Sequence, residues 1–192
     1  MKKVLLLGDS IRMGYDDYVK EMLVGECEVY YSEDNGRFTV YTLWQANQMF
    51  RTHGSFDVVH WNNGSWDMNT EAPMEGSMLP LDEYTYYLRR IARTLKGWGA
   101  KVIFATTPPL FETASAVDEQ TGANIAYNNE LVKTYNAAAK AVMDEEGVLV
   151  NDLYELCLQG EKYYKCPDML HLTEEGYRHC AAQACEYIRK YL

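Results

Sequence analysis

Two groups of residues at opposite ends of the chain could together carry out nucleophilic chemistry: Ser10, in Gly8-Asp9-Ser10, and His171, in Asp168-Met169-Leu170-His171. A serine hydroxyl is a poor nucleophile at neutral pH and needs a base within hydrogen-bond reach to take its proton. An imidazole can be that base, and it needs an acceptor of its own to fix its tautomer and stabilise the imidazolium. Asp168 and His171 supply acceptor and base from one loop. Neither group is diagnostic alone, because a serine after a strand is usually a turn or helix-cap residue. An aspartate after Pro167 is likewise an ordinary turn residue. Their combination in one chain is what points to an activated serine.

The elements that must bring the two ends together can be read from periodicity. Short apolar runs at Val4-Leu7, Cys27-Tyr31, Phe56-Trp61, Lys101-Ala105 and Val148-Val150 predict strands. Longer periodic segments at Tyr15-Leu23, Thr39-Arg51, Leu81-Trp98 and Asn124-Glu145 predict helices. Strict alternation of the two predicts an α/β chain, with about five mostly parallel strands in a three-layer α/β/α sandwich, because right-handed crossovers place the helices on both faces. With 192 residues and no linker or repeat, the chain reads as a single domain over 1–192. Thr173, followed by Glu174 and Glu175, predicts the cap of a last helix and puts His171 on the loop entering it. Ser10 follows the first strand, and ligands of such sheets gather beyond the carboxyl ends of the strands.

On these residues the sequence resembles the SGNH hydrolases, within the broader GDSL-like esterases and lipases, over essentially its whole length. Gly8-Asp9-Ser10 matches the family's first block and Asp168-Met169-Leu170-His171 its last. The resemblance implies a flavodoxin-like sandwich and a catalytic triad of Ser10, His171 and Asp168. It also implies an oxyanion hole built from the serine amide, a glycine amide and an asparagine side chain. The glycine falls at Gly36, in Asn35-Gly36-Arg37-Phe38-Thr39, a stretch similar to the G-R-S block of rhamnogalacturonan acetylesterase-like members; this favours Gly36 over the Thr39 amide. A simple Asn-Gly turn is the alternative reading of Gly36.

The third block departs from the family's G-x-N-D pattern, because Gly64-Ser65-Trp66-Asp67 has tryptophan at the asparagine position. The missing amide is expected at Asn63, with Asn62 as the alternative; the two side chains should face opposite ways on a regular strand. Trp66 either donates through its indole N–H or walls the acyl pocket. Asp67 is expected to anchor the loop.

Composition narrows the function further. A net charge of −10, with dispersed Lys and Arg, excludes a protein built to neutralise nucleic-acid phosphates. His53, His60 and His179 show no metal spacing with the five cysteines, so neither a metal nor another cofactor is expected. No apolar run approaches a membrane span, and Val4-Leu7 is too short for a signal-peptide core, so a cytoplasmic protein without membrane partners is expected. Small size and the carbohydrate-esterase resemblance imply hydrolysis of a short-chain acyl ester on a small molecule or oligosaccharide, foremost an O-acetyl group on a carbohydrate. The alternatives are a short-chain lipid esterase or thioesterase and, from a different class, a non-catalytic carbohydrate-binding protein. The sequence fixes no oligomeric state.

Overall fold

The computed structural model of the protein describes residues 1–70, 73–110, 114–117, 124–164 and 170–192. Five strands form one parallel sheet: β1 (Lys3–Leu7), β2 (Glu28–Tyr31), β3 (Val58–Asn62), β4 (Lys101–Ala105) and β7 (Leu149–Asn151), in the order β2-β1-β3-β4-β7. Within the sheet this is the doubly wound order 2-1-3-4-5 of flavodoxin-like folds, whose ligand crevice opens where the winding reverses, between the first and third strands. The central strands are buried on both faces, as a covered parallel sheet requires. In β1, Leu5 and Leu7 enter a core with α2 (Thr39–His53), α3 (Leu81–Gly97) and α4 (Asn129–Glu145). Val4 and Leu6 enter the opposite core with α1 (Ser10–Met22), α5 (Leu153–Leu158) and α6 (Glu174–Arg189). These are the expected three layers.

Differences from the sequence reading are local. Helix α1 starts at Ser10, not Tyr15, because the Asp9 carboxylate caps it by accepting from the Ile11 amide at 3.0 Å. Residues 124–127 do not extend α4: they form β6 (Asn124–Tyr127), paired antiparallel with β5 (Ala114–Val117). Helix α4 begins only after the Asn128 side chain accepts from Leu131 N. Helix α5 and a 3-10 turn at Glu161–Tyr163 carry too few residues for a periodic signal. Among the described residues no helix is long and apolar enough to cross a membrane.

One polar chain runs from α6 into the sheet. Gln183 Nε2 donates to Asn151 Oδ1 at 2.7 Å, which turns the Asn151 amide so that its Nδ2 faces His60 Nε2 at 3.0 Å. His60 therefore accepts at Nε2 and stays neutral, and burial holds its pKa down from 6.5 to about 3. The unfolded chain binds the extra proton, so this histidine removes stability as the pH falls from about 6.5 towards 3. Relative to pH 8, the loss at pH 4 should be about 3 kcal/mol. Buried carboxylates with raised pKa values act in the opposite sense, so the contrast with His60→Gln isolates the effect. Urea unfolding of both proteins at the two pH values should show the gap between them narrow by that amount in acid; an unchanged gap would contradict the neutral buried imidazole.

Candidate active site

Ser10 is the first residue of α1, immediately beyond the carboxyl end of β1. Its amide lies in the first helical turn, where N–H groups have no intrahelical acceptor and the helix dipole presents its positive end. The turn that aims it there depends on Gly8, at φ +139° and so close to β3 that a Cβ would stand 1.9 Å from Asn62 Oδ1. Asp9, next to the serine in the chain, is fully buried. Besides capping α1, its Oδ1 accepts from Asn62 Nδ2 at 2.8 Å, tying the end of β1 to the end of β3. Burial raises its pKa, against the hydrogen bonds from Asn62 and Ile11 that lower it.

His171 arrives from the other end of the sequence. Thr173 N donates to Tyr163 O at 2.6 Å and Thr173 Oγ1 to Lys162 O at 3.1 Å, fastening the loop to the 3-10 turn. The same hydroxyl caps α6 by accepting from Gly176 N at 3.2 Å, as the sequence led one to expect. A bridge between Tyr164 and Leu172 secures the residue next to the histidine. The result is a His171 Nε2 to Ser10 Oγ distance of 2.9 Å, with both residues half-buried. This is the separation at which an imidazole can take a hydroxyl proton. Asp168 lies outside the described residues, as does Cys166; the other four cysteines are free and buried.

The remaining expected residues sit close by but are hydrogen-bonded into the scaffold. Gly36 N–H donates to Gly8 O at 2.8 Å, so this amide holds the loop after β2 against the serine turn and is not presented to a substrate oxygen. The glycine is needed there because a Cβ would meet Gly8 O at 2.4 Å. Asn62 and Asn63 do point to opposite sides. Asn62 Nδ2 is given to Asp9, while Asn63 Nδ2 donates to Arg37 O at 2.8 Å and to Thr42 Oγ1 at 3.0 Å. Asn63 Oδ1 accepts from Trp61 Nε1 at 2.9 Å. In this arrangement the Gly36 N–H and both N–H groups of Asn63 are engaged by the loops around Ser10, whereas Asn62 Nδ2 gives one N–H to Asp9 and keeps its second. Arg37, held by Asn63, takes the left-handed conformation at φ 47°.

The Asp67 carboxylate anchors its loop to α2, accepting from Thr39 N and Thr39 Oγ1, each at 2.8 Å. Burial pushes its pKa up to about 7 despite those bonds. Trp66 is 6% exposed and belongs to the core that also contains Leu110 and Leu170.

Arg12 was not foreseen as part of this site. Fully buried, it donates to Ser32 O at 2.8 Å, to Asp34 O at 2.9 Å and, at 3.4 Å, to the Gly8 carbonyl beside the nucleophile turn, and it pairs with Asp16. A signal existed: Arg12 and Asp16 are spaced i, i+4 on the stripe of α1 that Ile11, Tyr15 and Val19 define as buried.

The model of the GDSL-like lipase/acylhydrolase family matches residues 6–179, and the chain belongs to that family. Among solved structures it is similar to the lipase/acylhydrolase from Enterococcus faecalis, with a TM-score of 0.77 and 20% identity over 99% of this chain and 96% of that one. It is also similar to a carbohydrate acetylesterase family member from Sinorhizobium meliloti, with a TM-score of 0.75 and 20% identity over 100% and 99% of the two chains. An acetyl xylan esterase matches with a TM-score of 0.75 and 20% identity over 97% and 99%. At these identities the likeness is one of fold. Among curated proteins no sequence matches the chain.

Proposed function

We propose that the protein is a serine esterase that removes a short acyl group, foremost acetyl, from a carbohydrate, with Ser10 as nucleophile and His171 as base. The observation that carries the reading is the 2.9 Å approach of His171 Nε2 to Ser10 Oγ at the amino end of α1. His171 takes the serine proton as Oγ attacks the ester carbonyl, then delivers it to the departing alcohol. Water, deprotonated by the same imidazole, attacks the acyl-serine and regenerates the hydroxyl. Asp168 orients the imidazole and stabilises its charged form. The Ser10 amide and the positive end of α1 face the developing oxyanion, and Trp66 forms a wall of the acyl pocket. Names of structural neighbours, among them an acetyl xylan esterase and a carbohydrate acetylesterase family member, support the choice of substrate class.

A fluorophosphonate probe followed by peptide mapping tests the assignment. Labelling should fall on Ser10 and vanish in Ser10→Ala. Label on another residue, or none on protein that still hydrolyses acetate esters, would overturn it. Chain-length profiling should show kcat/KM on an acetyl ester at least about tenfold above that on an octanoyl ester of the same alcohol.

A further inference from the structure

Away from Ser10, α2 and α3 leave a groove between them. Val40, Leu43, Trp44, Asn47, Gln48 and Arg51 form one helical stripe along α2, and Arg90, Thr94 and Trp98 a facing stripe along α3. The cavity they line measures about 370 Å³. A neighbouring depression of about 440 Å³ shares Asn47, Arg51 and Trp98 with it, so the two are continuous. From Val40 to Arg51 the groove follows α2 for about 16 Å. Its Val40 end lies at the catalytic edge of the sheet, since a helix following a parallel strand starts at that strand's carboxyl end.

Two features set this groove apart from an ordinary helix-helix surface. The first is its exposed aromatic rings: Trp44 is 54% exposed and Trp98 36%. Each is held from behind by a second ring, Tyr41 behind Trp44 at 5.3 Å and Phe50 behind Trp98 at 4.5 Å. The Arg37 guanidinium lies over Tyr41 at 5.1 Å, which links the groove to the loop that packs on the nucleophile turn. The second feature is charge. The chain carries 28 acidic residues against 18 basic ones, and its arginines reflect this: Arg12, Arg37, Arg89, Arg93, Arg178 and Arg189 each pair with a carboxylate. Arg51 and Arg90 are the two that find no carboxylate among the described residues, and they are the two that line this groove, where no acidic side chain is present.

We propose that the groove is a non-catalytic binding site for an oligosaccharide carrying carboxylates. Rigid indole faces cover the apolar face of a pyranose, Asn47 and Gln48 supply amide donors and acceptors for its hydroxyls, and the two guanidiniums match carboxylates in paired hydrogen bonds. A polyphosphate chain is disfavoured because it has no apolar face for the exposed Trp44 and Trp98 rings to cover. Bound here, an acidic glycan runs towards the catalytic edge, so that one part of the chain is anchored while another reaches Ser10. The site does not depend on the esterase reading, since binding can be measured in protein without its nucleophile.

The test is calorimetric titration of Ser10→Ala protein with trigalacturonate, with neutral xylotriose as control. Trigalacturonate should bind with an affinity that falls as salt is raised, and at least about tenfold more tightly than xylotriose. The double variant Arg51→Gln/Arg90→Gln should lose about tenfold or more in affinity, and Trp44→Ala should weaken both ligands. The same substitutions in protein with Ser10 intact should leave hydrolysis of a small acetate ester unchanged, which also shows that the variants fold. Absent binding at millimolar ligand, equal affinity for both sugars, or full binding by the double variant would overturn the proposal. So would sedimentation showing that the face is covered by a second copy of the chain, with self-association abolished by Trp44→Ala.

Discussion

Ser10→Ala is expected to lower kcat on an acetate ester by about a million-fold while leaving the unfolding midpoint within experimental error. The side chain is half-buried at the start of α1, so removing its oxygen leaves no cavity in either core. His171→Ala should cost about as much, because without its base the serine hydroxyl keeps its proton and nucleophile and base act as one unit. The double variant should therefore be no slower than either single one. Asp168→Asn should cost less, roughly 10⁴-fold, if its role is to orient the imidazole and stabilise its charge. Steady-state kinetics on the purified variants, with KM followed separately, checks all three. Losses of only about tenfold, or losses that multiply in the double variant, would mean that the 2.9 Å contact between Ser10 and His171 is not the reacting pair.

How much of the fold and the site is legible in the sequence differs by the kind of interaction. Strands and long helices were readable because burial on both sheet faces leaves continuous apolar runs, and Thr173 could be recognised as a cap from its own neighbours. Ser10 and His171 stand out in the sequence because few residue types can serve as nucleophile or base, and the fold brings the two within 2.9 Å. The opposite facing of Asn62 and Asn63 follows from strand geometry alone. What each carboxamide meets does not: only the folded chain shows that Asp9 takes one N–H of Asn62 and that Arg37 and Thr42 take both N–H groups of Asn63. Gly36 carries a related ambiguity. A glycine at a strand exit can serve a ligand or a neighbouring backbone, and here the Gly8 carbonyl is the neighbour. The β5-β6 hairpin is not legible in the sequence because residues 124–127 continue the apolar pattern of α4, and only the Asn128 cap separates them.

Arg12→Ala should be the most destabilising single change near the site, by about 3–5 kcal/mol. Its guanidinium is fully buried and holds together two backbone segments through three carbonyls: Gly8 before the nucleophile, and Ser32 and Asp34 in the loop after β2. Removing it takes the donor from the Ser32 carbonyl and one of the donors from the Gly8 and Asp34 carbonyls, which keep Gly36 N and Gln45 Nε2, and it strands the Asp16 carboxyl, whose pKa is already raised because burial outweighs the attraction of Arg12. The double variant Arg12→Met/Asp16→Leu should recover part of the loss, because no charge is then left without its partner, but not all of it, since the Ser32 carbonyl still lacks the donor that Arg12 gave it. Arg12→Lys separates positioning from stability. A lysine keeps the charge and can reach one or two carbonyls, but it lacks the planar fork that fixes the two loops relative to each other. It should fold, with urea unfolding showing a smaller deficit than Arg12→Ala, yet lose kcat by about tenfold or more with little change in KM, because the Ser10 turn is less firmly held. A folded Arg12→Lys protein with wild-type kcat would confine Arg12 to stability. A kcat loss in Arg12→Lys that exceeds its stability deficit would tie the orientation of the nucleophile to a buried cation four residues from its turn glycine.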